Sequence, residues 1–398
     1  MELLYISALS SKRLIADIFN TTGRNPGFAV QKFSRLLVQG LCYNGTDAKT
    51  LTAPPVNKSY TKKIWVALAD EIEDGIKYQY MPFINISVLR HICIFLYSFF
   101  YTLKWSVKNK NDKAIICDVL CVSACMGAVL ASKLSRIRTV GVVTDIYNQI
   151  ITNKSRGLRS KFAKLAGFIN QKYVSSFSHY VLLTDAMNQL VNSKQCPYIV
   201  MEALCDSSLT INSPKKVSKD IPRVILYAGG LEEKYGLKML VDAFNSLGGV
   251  DAQLHIYGSG LYEEQLRLQA KNNKSIVYHG VRSNEDILDA EARATLLVNP
   301  RFSNEEFTKY SFPSKNMEYM ASGTPLLTTK LPGIPTEYNE HVYYFDEEST
   351  AGYAKILKEI LSLDEIQLVE KGQKAREFVL KYKNNRFQSK RIIDLLDR

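Results

Sequence analysis

Residues 299–327, NPRFSNEEFTKYSFPSKNMEYMASGTPLL, hold the side chains with the clearest chemistry in the chain. The segment leaves an apolar run, crosses a polar acidic loop and turns helical at Ser314, a residue type suited to the N-cap. The first turn of a helix carries backbone N–H groups without intrahelical partners and a partial positive charge. A phosphate placed there is stabilised before any side chain contributes. Lys315 stands in that turn. A cation is unfavourable at the positive end of a helix, so its presence points to an anion that offsets it. Glu318 lies one turn beyond Ser314 on the same face. There a carboxylate can accept hydrogen bonds from a ribose diol beside a bound diphosphate; a helix-dipole partner or a surface residue is the alternative. Ala321, Ser322 and Gly323 end the helix and let the next strand begin at once.

Other constellations are weaker. Gly258-Ser259-Gly260 starts as G-x-G, but no third glycine follows, so it reads as a tight turn and a nicotinamide cofactor is not supported. No Asp-x-Asp triplet occurs in the chain, which argues against a bound divalent metal as a phosphate clamp. The seven cysteines (Cys42, Cys93, Cys117, Cys121, Cys125, Cys196, Cys205) form no Cys-x-x-Cys pair and have no His at ligand spacing. Three of them recur every four residues in an apolar run, as buried thiols of a reducing compartment do. Asp145 closes an apolar run at 139–144 and is either a site residue or an N-cap or turn aspartate.

The elements that must position these groups are short apolar runs alternating with helical periods. In the first part, runs at 3–7, 64–68, 114–117, 139–144 and 181–184 predict strands, and a turn-rich loop at 21–27 leads into a helix at 28–41. The polar stretch 206–223 has no periodicity and reads as a linker. Beyond it the pattern restarts, with strands at 224–227, 253–257, 275–279, 295–298, 325–328 and 342–345, a helix at 237–247 and helical sequence over 351–398. Such alternation predicts α/β architecture with parallel sheets covered on both faces. We expect two Rossmann-like domains, 1–214 and 215–375, with a helix at 376–398 packing back on the first. In such sheets ligands sit at the carboxyl ends of the strands.

The chain's 398 residues exceed what a single core holds, about 250 to 300 residues. With 46% hydrophobic and 23% charged residues, disorder and a disulfide-stapled miniature are excluded. The net charge of +12 is unevenly spread: residues 1–214 carry 25 Lys and Arg against 13 Asp and Glu, and 215–398 carry 26 against 26. The first part therefore faces something anionic: nucleic acid, a membrane or phosphorylated ligands. No nucleic-acid module is recognisable. The N-terminus lacks the apolar length and charge order of a secretory signal, so the cytoplasm is expected. His91 to Trp105, HICIFLYSFFYTLKW, falls short of the roughly 20 apolar residues of a membrane span. It reads as a buried helix or one at a membrane surface, with Lys104, Lys108, Lys110 and Lys113 at its end.

The run from Tyr310 to Pro325 resembles the donor-site signature of the family 4 retaining glycosyltransferases, which have the two-domain GT-B fold, with the domains facing each other across a cleft. The similarity extends to Tyr227-Ala-Gly-Gly-Leu-Glu-Glu-Lys-Tyr-Gly236, Ile256-Tyr-Gly-Ser-Gly260 and His279-Gly-Val281. In the first part it rests on Asn25-Pro-Gly-Phe-Ala-Val-Gln-Lys32 and Val142-Val-Thr-Asp145. Within the family the chain is most similar to enzymes that build bacterial capsule, exopolysaccharide or O-antigen units. The resemblance implies that Glu318 contacts the ribose. The family's first glutamate, which reaches the transferred sugar, falls on Tyr310, leaving Tyr310 and Ser311 at the donor sugar. The family's diphosphate Arg falls on Gly230 and its Lys on Lys234 or Tyr235. The diphosphate is then held by Gly27, Gly230, Lys234, Ser314, Lys315 and backbone N–H groups, and the base lies against Gly280, Val281 and Arg282. Asp145 and Lys315 are the expected catalytic residues.

The activity so implied is transfer of a sugar from a nucleotide sugar, by preference a UDP-sugar, to a saccharide or lipid-linked acceptor. Configuration is retained, and no cofactor or metal is needed. A nucleoside diphosphate is already a good leaving group, so the protein has to stabilise its charge and hold the acceptor hydroxyl close. The acceptor belongs to the basic first domain, at the inner face of the plasma membrane, and nucleic acid is not an expected partner. A sugar-nucleotide 2-epimerase of the same architecture is the alternative.

Overall fold

The apolar runs fold as strands of two parallel sheets in the computed structural model, which describes residues 1–108, 112–146, 169–209 and 218–397. The chain divides into two units, Met1–Leu204 with Asn385–Arg398, and Cys205–Asn384.

In the first unit the elements are β1 (Glu2–Ser7), α1 (Lys12–Thr22), α2 (Phe28–Tyr43), β2 (Asp47–Thr52), β3 (Trp65–Val66), β4 (Glu71–Glu73), β5 (Ile76–Tyr80) and β6 (Phe83–Ile84). There follow α3 (Ser87–Val107), β7 (Lys113–Asp118), α4 (Val122–Ser135), β8 (Arg138–Val143), β9 (His179–Leu182), α5 (Met187–Val191) and β10 (Tyr198–Val200). Eight strands form one sheet in the order β10-β9-β8-β7-β1-β2-β5-β4, parallel except for the edge strand β4. Leu3, Leu4, Tyr5 and Ile6 of β1 and Ala114 to Cys117 of β7 are fully buried, as strands covered on both faces must be. The winding runs outward from β1 through β2 and β5 on one side and from β7 through β8, β9 and β10 on the other. The switch point therefore lies between β1 and β7, where loops part at the strands' carboxyl ends.

Two expectations need correction here. The opening is not strand, glycine loop, helix, because α1 intervenes. Ser11 caps it, its Oγ accepting from Leu14 N at 3.1 Å; Leu14, Ile15 and Ile18 form its buried stripe, and Gly23 ends it at φ 64°. The run 64–68 is not a strand of the main sheet. Only Trp65–Val66 pairs, antiparallel to β6, and Ile64 and Trp65 are exposed. The strand beside β1 is β2, whose sequence DAKTLT has too few apolar residues to announce itself.

The expected helix over 91–105 is longer, spanning α3. It approaches α4 so closely that a Cβ on Gly127 would stand 2.3 Å from the Phe95 carbonyl oxygen. Ile94, Ser98, Thr102 and Trp105 are buried, whereas Val88, Leu89, Ile92, Leu96, Phe100 and Val107 are exposed. Among the described residues no helix is long and apolar enough to cross a membrane. Lys110 and the linker residues 210–217 lie outside the described residues.

The second unit comprises β11 (Arg223–Ala228), α6 (Leu237–Ser246), β12 (Ala252–Tyr257), α7 (Glu263–Asn272), β13 (Ile276–Gly280), α8 (Asn284–Arg293), β14 (Leu296–Asn299), α9 (Ser314–Ser322), β15 (Leu326–Thr328), β16 (Tyr343–Tyr344), α10 (Thr350–Ser362) and α11 (Glu365–Tyr382). Its strands are all parallel in the order β13-β12-β11-β14-β15-β16, with the switch point between β11 and β14. Ile225, Leu254, Ile256, Leu296 and Val298 of the sheet pack with Leu240, Val241 and Phe244 of α6 and with Tyr353 and Leu357 of α10. Full burial of each such side chain contributes about 1.5 to 3 kcal/mol. The last helix, α12 (Asn385–Leu396), belongs to the first unit and lies against α2. Asn385 Nδ2 donates to Leu36 O and Ser389 Oγ to Leu37 O, both at 3.1 Å. Gly40 leaves room for the Asn385 carbonyl.

Candidate active site

At the switch point of the second unit, α9 presents its N-terminus after β14. The helix begins at Ser314, so the cap position falls on Pro313 and not on Ser314 as expected. Pro313 supplies no capping side chain, and its fixed φ of −68° leads straight into the helix. The uncapped end suits an anion better than a Ser-capped one. Lys315 Nζ lies 2.7 Å from Glu318 Oε2 and 3.8 Å from Glu291 Oε1. Glu291, on α8, is fully buried, and the other two are partly exposed. Lys315 is thus a first-turn cation drawn between a carboxylate of its own helix and one of α8.

The helix is seated from beneath by residues the sequence reading did not single out. Tyr319, at 1% exposure, accepts from Ala228 N at 2.8 Å and donates to Ala228 O at 3.1 Å, tying α9 to the end of β11. Buried Asn316 accepts from Asn299 Nδ2 at 2.6 Å and donates to Thr328 Oγ1 at 3.3 Å, tying it to β14 and β15. Tyr310 ends the short 3-10 turn Glu306–Lys309 and is half-buried, and Ser311 Oγ is buried with no hydrogen-bond partner among the described residues.

The loops after β11, β12 and β13 close on one another. Gly258, at φ 128°, has the Gly229 carbonyl oxygen 1.9 Å from where a Cβ would sit, and a Cβ on Gly260 would stand 2.6 Å from the Leu231 carbonyl oxygen. The G-x-G therefore serves close approach of loops as well as turning. Gly230 is exposed, its carbonyl accepting from Tyr227 Oη at 2.7 Å. Lys234 and Tyr235 both sit on the 3-10 turn Glu233–Tyr235, Lys234 exposed and Tyr235 half-buried. At the end of β13, Gly280 has φ 70°, and Val281 and Arg282 are exposed. Burial, with His255 and Arg282 nearby, lowers His279 to about 4, so its ring is neutral where it stacks on Tyr257 at 4.3 Å.

In the first unit, the crevice after β1 and β7 is a cavity of about 870 Å³. Gly27 lines it and stands at φ 87° before α2, held by Asn25 Oδ1, which accepts from Gly27 N and Phe28 N. Asp145 does not share this cavity. It is exposed after β8, in a smaller depression of about 110 Å³, and its carboxylate accepts from Ile146 N. The carboxylate that lines the large cavity is Asp118, at the end of β7 and 4% exposed. Burial raises it to about 6, against a hydrogen bond from Leu120 N. His91 faces the same space with Nδ1 2.7 Å from Ser123 Oγ, and Arg90 donates to the carbonyls of Pro54 and Val56. Cys121 lines it too, but burial pushes its thiol up, so it is no nucleophile at neutral pH. None of the seven cysteines forms a disulfide among the described residues.

Two parallel α/β units of the same winding define the GT-B class, the fold of a large group of glycosyltransferases. Residues 222–362 match the family described as Glycosyl transferases group 1, so the second unit contains a group 1 glycosyltransferase domain. Among solved structures, the chain is similar to the apo form of WaaB, a lipopolysaccharide outer core galactosyltransferase. The two are 14% identical with a TM-score of 0.60, over 100% of this chain and 99% of that one. It is similar to Anabaena Alr3699/HepE in complex with UDP, at 13% identity and a TM-score of 0.62 over 100% of both chains. A glycosyltransferase from Rickettsia africae is 14% identical with a TM-score of 0.63, over 99% of this chain and 97% of that one. At these identities the likeness is one of fold. No curated protein matches the sequence.

Proposed function

We propose that the protein is a retaining glycosyltransferase of the family 4 type. It moves a sugar from a nucleotide sugar, by preference a UDP-sugar, to a saccharide or lipid-linked saccharide of a bacterial surface polysaccharide. The observation that carries this reading is the uncapped N-terminus of α9, with Lys315 in its first turn paired to Glu318 one turn further along, at the switch point of a group 1 glycosyltransferase domain. Solved structures of the same fold hold UDP, UDP-glucose, or UDP and glucose.

In this reading the diphosphate lies against the helix end and Lys315, where N–H dipoles and a cation stabilise the charge that grows as the glycosidic bond breaks. The arriving phosphates compete with Glu318 for Lys315, and Glu318 is released to accept from the ribose diol. Gly230, Lys234 and Ser314 border the phosphates, Tyr310 and Ser311 the sugar, and Gly280 to Arg282 the base. The acceptor takes the cavity of the first unit, where Gly27 lies at the rim and Asp118 and His91 can receive its hydroxyls. The acceptor attacks from the side the diphosphate leaves, and a phosphate oxygen takes its proton. Asp145 stands outside that cavity and acts, in this reading, from the neighbouring depression.

The test is a thermal-shift panel of UDP- and GDP-sugars on the wild type, Glu318→Ala and Lys315→Ala. We expect a UDP-sugar to raise the wild-type melting temperature by several degrees and to do much less for either variant. A wild type that no nucleotide sugar stabilises ends the reading.

A further inference from the structure

Arg301 stands at the switch point of the second unit without an assigned role. It follows β14 by two residues, and β14 is the strand next to β11. Burial lowers its pKa below that of an ordinary arginine, opposed only by the phenols of Tyr235 and Tyr227. What it touches is a ring: its guanidinium carbon lies 4.8 Å from the centroid of Tyr235. It is partly buried, and no carboxylate among the described residues forms an ion pair with it.

The platform is built. Gly236 follows Tyr235 at φ 74°, and a Cβ there would stand 1.8 Å from the Pro300 carbonyl oxygen, so the turn after β11 meets the start of the loop after β14 backbone to backbone. Tyr353 Oη donates to that same carbonyl at 3.1 Å. One contact thereby fixes both Tyr235 and the residue before Arg301. Lys234 Nζ lies 5.2 Å from the same ring centroid, which makes Tyr235 the shared support of two cations. On Gly230 a Cβ would be 3.1 Å from Tyr235 Cε2, so a side chain at 230 presses on the platform. A larger residue at 230 would therefore have to displace the ring on which Arg301 stacks.

We propose that Arg301, stacked on Tyr235, is the guanidinium that binds the donor diphosphate, in a unit where position 230 carries no side chain to do so. A guanidinium offers two parallel N–H donors to phosphate oxygens, a geometry no lysine reproduces. The proposal rests on the nucleotide-sugar reading of this unit and adds to it the residue that recognises the second phosphate.

The experiment is calorimetric titration of UDP, UMP and uridine, with GDP as a further probe, into the full chain as wild type, Arg301→Gln, Arg301→Lys and Tyr235→Leu. For Arg301→Gln we expect UDP affinity to fall tenfold or more, UMP affinity less and uridine affinity within twofold of wild type. Arg301→Lys and Tyr235→Leu should fall between. UDP affinity within twofold of wild type in Arg301→Gln overturns the proposal and leaves the nucleotide-sugar reading standing, as does an equal loss for uridine. A wild type that binds neither UDP nor GDP overturns both. If Arg301→Gln does not fold, Arg301→Lys decides, since unchanged UDP affinity there also overturns the proposal.

Discussion

Asp118 shows how the fold can bring a side chain to a cavity that its neighbours in sequence do not announce. It follows the apolar run 114–117, and nothing local separates it from Asp145, which follows the run 139–144. The sheet order separates them, by placing β7 beside β1 and so opening the large cavity at Asp118. Glu291 and Arg301 were hidden for the same reason, since their partners lie tens of residues away. Lys315 and Glu318 were legible because their partner is a helix end of their own segment. The burial of Asp118 has a measurable consequence. Its carboxyl titrates near pH 6 in the folded chain against about 3.9 in an unfolded one, so the folded state holds the extra proton between those values. Stability that is full below pH 4 is lost as pH rises toward 6, by roughly 2 to 3 kcal/mol. We expect Asp118→Asn to remove this slope, and urea unfolding at pH 4, 5, 6 and 7 reads it. A wild type and variant whose stability difference stays constant over that range would show that the carboxyl is not so perturbed.

At the scale of elements, α9 was readable as a helix, but not what holds it still. Its charges and glycine end are local signals, whereas Tyr319 looks in sequence like any aromatic on the buried stripe. Its hydroxyl instead replaces ladder partners for Ala228 at the last residue of β11. The elements that stayed hidden had weak local signals: α1 begins inside a serine-rich stretch, and β2 alternates poorly because only its second half is buried. Conversely the run 64–68 had the composition of a strand and lacked a neighbour to pair with beyond β6. Tyr319→Phe keeps the ring and removes the bridge, leaving a buried N–H and C=O short of a partner. It should cost about 1 to 3 kcal/mol in urea unfolding. It should also weaken UDP binding several-fold in calorimetry, because the helix end and the β11 loop are no longer fixed to each other. A variant as stable as wild type that binds UDP equally well would mean that packing of the ring alone seats α9.

For the whole molecule, the uneven charge and α3 belong to the same part of the chain. Residues 1–214 carry the entire excess of 25 basic over 13 acidic residues, and of the exposed apolar positions of α3, Leu89, Ile92, Leu96, Phe100 and Val107 follow one helical stripe, with Val88 beside it. Lys104 and Lys108 are exposed at the end of that stripe, and Arg90 and His91, near its start, line the cavity proposed for the acceptor. An apolar stripe bordered by lysines fits the surface of an anionic bilayer, where each basic residue contributes on the order of 1 kcal/mol. If α3 lies on such a surface, as the proposed function implies, a lipid-linked acceptor would enter the cavity from it. The sequence supplied the charge and the apolar length, and the fold added which half of the helix is left uncovered. We expect the full chain to float with vesicles rich in phosphatidylglycerol at low salt and to be released as salt rises. We expect Leu96→Glu with Phe100→Glu to abolish flotation while UDP binding stays unchanged. Flotation that survives this double substitution would move the contact away from α3. Its absence in the wild type at low ionic strength would remove the membrane from the reading and leave a soluble saccharide as the acceptor.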